Sequence, residues 1–96
     1  MAEYRLTPAA VADLEGIWRY TVQRWGVEQA IAYTDALTRS FGDLAARPSE
    51  AIACDDIRQG YRRKTVEHHT VYLTVHDYGI AVVRILHKAM DAPRHV

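Results

Sequence analysis

The apolar positions of this chain repeat with two different periods, and the change between them falls near residue 56. Tyr4 and Leu6 alternate with Glu3 and Arg5, which predicts a short strand over Glu3–Leu6. Thr7-Pro8 then has the composition of a helix start: a Thr oxygen can accept from the first free amides, and Pro at the first helical position gives up no hydrogen bond. Beyond it Val11, Leu14, Trp18, Val22 and Trp25 recur at helical spacing, with Asp13, Glu15, Arg19 and Gln23 elsewhere on the wheel and Gly26 ending the run. Trp18 and Trp25 are accordingly expected in the core or at a hairpin interface. A second helix follows at once, with Ala30, Ile31, Thr34, Leu37, Phe41, Leu44 and Ala45 on one face and Arg47-Pro48 as its stop. So short a link predicts an antiparallel helical hairpin.

Residues 48–56 show no period and are expected to form a loop. The pattern then turns to alternation and β-branched residues, predicting strands over Ile57–Glu67, His69–His76 and Gly79–Leu86, joined at Glu67-His68 and Asp77-Tyr78-Gly79 as an antiparallel meander. The fold class is α+β: an N-terminal strand and an antiparallel helical hairpin packed on a small antiparallel β-sheet, β-α-α-β-β-β, in a single domain spanning residues 1–96. Strict alternation puts Ile80, Val82 and Leu86 on one face of the last strand and Ala81, Val83 and Ile85 on the other. A strand apolar on both faces is central and covered on both sides. The helices can cover only one, leaving the other to the C-terminal tail or to a partner protein.

Composition adds a charge asymmetry to this picture. At 96 residues, with 49% hydrophobic and 25% charged residues, the chain is ordinary globular protein, and twelve basic residues balance twelve acidic ones. The balance is a cancellation: residues 1–55 hold five basic and eight acidic side chains, residues 56–96 seven basic and four acidic, with all five histidines. Cys54 is the only cysteine, which excludes an internal disulfide and a thiolate zinc site. No signal-peptide pattern and no run of apolar residues long enough for a bilayer is present, so a cytoplasmic protein without membrane partners is expected.

The basic cluster Arg58, Arg62, Arg63 and Lys64, joined by Arg84 and Lys88, reads equally as a site for phosphate or an acidic protein segment and as a solvated strand face. Arg84 lies within an apolar strand and needs a partner, for which an ion pair to a helix carboxylate is the commoner explanation. His87 ends the same strand. Arg and His together could support phosphodiester cleavage, although local hydrogen bonding is the ordinary role of such a histidine. His68 and His69 are adjacent and in an extended segment point to opposite faces, so no sequence-local chelating pair exists, and neither metal nor cofactor is expected. Asp55 and Asp56 beside Cys54 raise its thiol pKa, which argues against a catalytic thiolate.

Three segments carry a family resemblance. Tyr4-Arg5-Leu6-Thr7-Pro8-Ala9-Ala10 with Asp13-Leu14, Ile17 and Trp25-Gly26, then Ile57-Arg58-Gln59-Gly60-Tyr61-Arg62-Arg63, then Val83-Arg84-Ile85-Leu86-His87-Lys88-Ala89-Met90-Asp91 with Arg94-His95, resemble ParE toxins of the RelE/ParE superfamily in order and spacing. The resemblance implies a bacterial type II toxin that inhibits DNA gyrase without being an enzyme. It implies neutralisation by a ParD-type ribbon-helix-helix antitoxin, with operator DNA reached only through that antitoxin. Target or antitoxin contacts are then expected among Arg58, Tyr61, Arg62, Arg63, Arg84, His87, Met90 and Arg94. The alternatives are a RelE-type ribosome-dependent mRNA endonuclease, for which Arg62, Arg84 and His87 would be catalytic, and an inactive toxin-fold module that only binds an antitoxin. The absence of a tyrosine after Tyr78 and the Met90-Asp91 tail favour the gyrase branch.

Overall fold

The helix start at Thr7-Pro8 forms as the sequence indicates. In the computed structural model, which describes residues 2–88, 90 and 92–96, strand β1 (Glu3–Leu6) runs into helix α1 (Pro8–Trp25), with Thr7 Oγ1 accepting from the Ala10 amide at 3.1 Å. Gly26, at φ +93°, alone separates α1 from α2 (Val27–Ala46). It donates to the Val22 carbonyl and accepts from Ala30, so one residue closes one helix and opens the next.

The segment expected to be a loop carries more structure. A 3₁₀ turn at Pro48–Glu50 leads to a two-residue strand, β2 (Ile52–Ala53), before β3 (Tyr61–Val66), β4 (His69–His76) and β5 (Gly79–His87); a short helix α3 (Ala92–His95) ends the chain. Residues 57–60, expected to begin the strand Ile57–Glu67, instead belong to a turn knit by the Cys54 carbonyl, which accepts from Ile57 and Arg58, and by Asp55 Oδ1, which accepts from Gly60. The five strands form one sheet in the order β1-β5-β4-β3-β2. The α+β class and the antiparallel meander stand, but β1 joins the sheet in parallel, pairing Glu3–Leu6 with Gly79–Val82. A hairpin announces itself by its turn residues, whereas a pairing across more than seventy residues has no local signature.

The α-hairpin covers one face of the sheet through Ala10, Ile17, Leu37, Phe41, Leu44 and Ala45 against Val71, Leu73, Ile80, Val82 and Ile85. On α2 the predicted stripe is the buried one except for Thr34, which is half-buried, and Ile31, which is exposed. On α1 it is not. Ala10, Ile17 and Thr21 are the buried residues, while Val11 and Trp18 are exposed and Trp25 is 66% exposed. Two adjacent helical stripes compete here and share Leu14. The one carrying small residues faces the sheet because Ala10 lets the backbone come close, and the bulky stripe turns outward.

The last strand also departs from alternation. Tyr72 pairs with Arg84 and Leu73 with Val82, so Val83 is an extra residue, a β-bulge. Beyond it the faces exchange: Ile85 joins Ile80 and Val82 under the helices, and Leu86 faces away. There it meets Cys54, Tyr72 and Ala92, flanked by Ile57, Tyr61 and Val96. The C-terminal tail therefore provides part of the second cover.

Gly79, at φ +139°, begins β5 against β1, and a Cβ there would overlap the Glu3 carbonyl oxygen. Gly79→Ala is expected to cost at least ~2 kcal/mol of unfolding free energy. A lower urea midpoint at unchanged m-value is the observation that checks it.

Candidate functional site

Arg84 has the helix carboxylate its position called for. Its Nε and Nη2 donate to Asp13 Oδ2 and Oδ1 at 2.7 and 2.9 Å, a bidentate pair at half-buried side chains. Asp13 Oδ2 also accepts the Ile85 amide at 2.9 Å, and Arg84 Nη1 donates to the His95 carbonyl at 2.8 Å. The hydrogen bonds it donates to Asp13 push the guanidinium above its ordinary pKa. Just upstream, the Thr7 amide and hydroxyl donate to the Val82 and Val83 carbonyls. Arg84 is thus committed to joining α1, β5 and the tail.

The other basic residues divide between the two faces of the sheet. Register sets Arg63 opposite Tyr72 and Tyr61 opposite Thr74, on the face away from the helices, whereas Arg62 opposes Leu73 and Lys64 opposes Val71, on the helix side. Arg62 Nη1 donates to the Ala51 carbonyl at 2.9 Å. Arg58 is exposed with its guanidinium 6.0 Å from the Tyr61 ring centre, and Arg94 is exposed on α3, whose Ala92 seals the same face. Met90 is exposed too; Ala89 and Asp91 of the expected tail motif lie outside the described residues. Cys54 is buried, and burial raises its thiol pKa more than Asp56 and Asp55 do.

His87 stands on the helix side, opposite His69 in the register. The trio of Arg62, Arg84 and His87 is therefore not one site: three residues of regular strand set Arg84 and His87 on opposite faces, and the Val83 bulge turns Arg84 away from the side that Arg62 occupies.

What gathers around His87 instead was not legible from spacing. A cleft of about 540 Å³ between the α-hairpin and the β3–β4 turn is lined by Tyr20, Trp25, Tyr33, His68, His69 and His87, among others. The Tyr33 hydroxyl lies 2.7 Å from His69 Nδ1 and accepts the His68 amide at 3.0 Å. The expectation that adjacent His68 and His69 diverge fails because His68 sits in the turn, after Glu67 at φ +56°, and both rings contact Tyr33. Burial pushes the His69 pKa down to about 4, and His87 and His68 add to that shift. Burial likewise raises the Tyr33 phenol.

Two outcomes follow. Asp13→Ala leaves Arg84 and the Ile85 amide without their acceptor and is expected to cost about 2–4 kcal/mol in chemical denaturation. His69 is neutral in the fold but protonates near pH 6.5 when unfolded, so its contribution is complete above that pH and is lost as pH falls towards 4. Unfolding free energy measured from pH 7 to 4 should fall over this window, and His69→Gln should flatten the slope.

Among the described residues no helix is long and apolar enough to cross a membrane. The chain is similar to Toxin ParE1 of Mycobacterium tuberculosis strain H37Rv, at 45% identity over 99% of this chain and 98% of that protein. It is 38% identical to Toxin ParE1 of Caulobacter vibrioides over 100% of this chain and 99% of that one. The solved chromosomal ParDE TA system from P. aeruginosa contains a chain with the same fold, at TM-score 0.77 and 22% identity over 91% of this chain and 96% of that one. The model of the ParE toxin of type II toxin-antitoxin system, parDE, matches residues 4–92, and with that match the chain belongs to the ParE toxin family.

Proposed function

We propose that this chain is the toxin of a type II pair that inhibits DNA gyrase as a protein ligand, not a nuclease, and that a ParD-type ribbon-helix-helix antitoxin neutralises it. The observation that carries the non-enzymatic reading is the separation of Arg62, Arg84 and His87. Arg62 is engaged by the Ala51 carbonyl, Arg84 by Asp13, and His87 lies on the opposite side of the sheet from Arg84. A phosphorane needs its cation and its proton carrier at one point.

In this reading the whole of residues 1–96 acts as one domain in the cytoplasm, where gyrase is. The target surface is the sheet face away from the helices, with Arg58, Tyr61 and Arg63, together with the exposed tail residues Met90 and Arg94. Its positive charge suits an acidic partner. The antitoxin docks on the α-hairpin, whose outer stripe of Val11, Trp18, Trp25 and Ile31 is exposed. An amphipathic antitoxin helix matches an apolar groove of this kind. Operator DNA is reached only through that antitoxin.

Purified chain added to gyrase and relaxed plasmid is expected to block supercoiling and accumulate cleaved DNA, while mRNA on translating ribosomes stays intact. Arg58→Glu with Arg63→Glu should weaken inhibition at least about tenfold with an unchanged melting temperature. Normal supercoiling at excess toxin would overturn the reading; ribosomal mRNA cutting would replace it with the endonuclease.

A further inference from the structure

The histidines of β4 and β5 form an arrangement that gyrase inhibition does not use. His69 and His87 are directly paired across the two strands, on the face towards the helices, with ring centres 5.5 Å apart and planes at 87°. Two imidazoles that share one tetrahedral ion, each nitrogen about 2.0–2.1 Å from it, hold their ring centres roughly 5 Å apart. Cross-strand pairing therefore supplies the spacing that two neighbours in sequence cannot.

We propose that His69 and His87 are the two protein ligands of a site for a borderline divalent transition ion, of the zinc and nickel class. Neutral imidazole is the preferred donor for these ions. A metal-binding histidine ordinarily has its other ring nitrogen held by a hydrogen bond that fixes tautomer and ring angle. His69 has this partner: its Nδ1 lies 2.7 Å from the Tyr33 hydroxyl. In the metal-bound tautomer Nδ1–H donates to that oxygen, which also accepts the His68 amide, and Nε2 presents its lone pair to the ion. A phenolic oxygen has two lone pairs for these two donors.

Among the described residues no three His, Cys, Asp or Glu side chains converge as a ready-made ligand set. The site is thus a two-histidine clip whose remaining positions open into the cleft lined by Gln29, Glu67 and His68. Water or a donor from a bound molecule completes the coordination there. The clip ties the end of β5 to β4 immediately before the C-terminal tail.

The test is titration of tag-free, chelator-treated full-length chain with Zn²⁺ or Ni²⁺ by calorimetry, with imidazole ¹⁵N shifts followed by NMR. One equivalent is expected to bind with Kd on the order of 10 µM, moving the His69 and His87 ring nitrogens and leaving those of His76 and His95 in place. His87→Ala should weaken binding at least about tenfold, with the metal-free variant still folded by circular dichroism. Tyr33→Phe should weaken it about tenfold through the lost ring anchor. Absence of binding below millimolar metal, or full affinity in His87→Ala, would overturn the site and leave a structural imidazole pair.

Discussion

One carboxylate takes up three donors at the point where this fold has to hold together. β1 covers only the first half of the β5 edge, up to Val82. Beyond it the edge would present a bare amide, and a guanidinium stands on the same stretch of strand. Asp13, on the second turn of α1, satisfies the Ile85 amide and the Nε and Nη2 donors of Arg84. Through Arg84 it also holds the His95 carbonyl and hence the tail. Neutralising a half-buried cation and completing a strand edge with the same two oxygens sets α1 on β5 in one register.

The position of α1 then decides what faces outward. Close approach over Ala10 leaves no room for indoles between helix and sheet, so Trp18 and Trp25 become surface residues. The protein keeps an apolar stripe on its outer hairpin, bordered by the exposed Arg19, Arg24 and Arg39, and presents Arg58, Arg63 and Arg94 on the far sheet face and tail. The two faces therefore differ in chemistry, an apolar stripe on one and Arg58, Tyr61 and Arg63 on the other.

The Val83 bulge has an equally wide effect. One extra residue puts Ile85 under the helices, turns Arg84 away from them and brings His87 back to the helix side, opposite His69. Without it Arg84 and Leu86 would share a face with Ile80 and Val82, and a guanidinium would be driven into the main core. The bulge is therefore what reconciles an arginine with this strand, while the odd spacing of Arg84 and His87 by itself keeps them on opposite faces.

Much of the architecture was readable in the chain itself. Thr7-Pro8, Gly26 and Arg47-Pro48 punctuate the helices through backbone chemistry that acts within a few residues. Two short turns and β-branched runs specify the meander for the same reason. Even the need of Arg84 for a carboxylate follows from its apolar surroundings. Periodicity could not rank two neighbouring stripes on α1, reveal a bulge that only pairing creates, or show that His69 meets His87 and Tyr33. Those depend on which strand lies beside which and how closely a helix approaches. Such relations arise from contacts between residues far apart in sequence, so they exist only once the chain has folded.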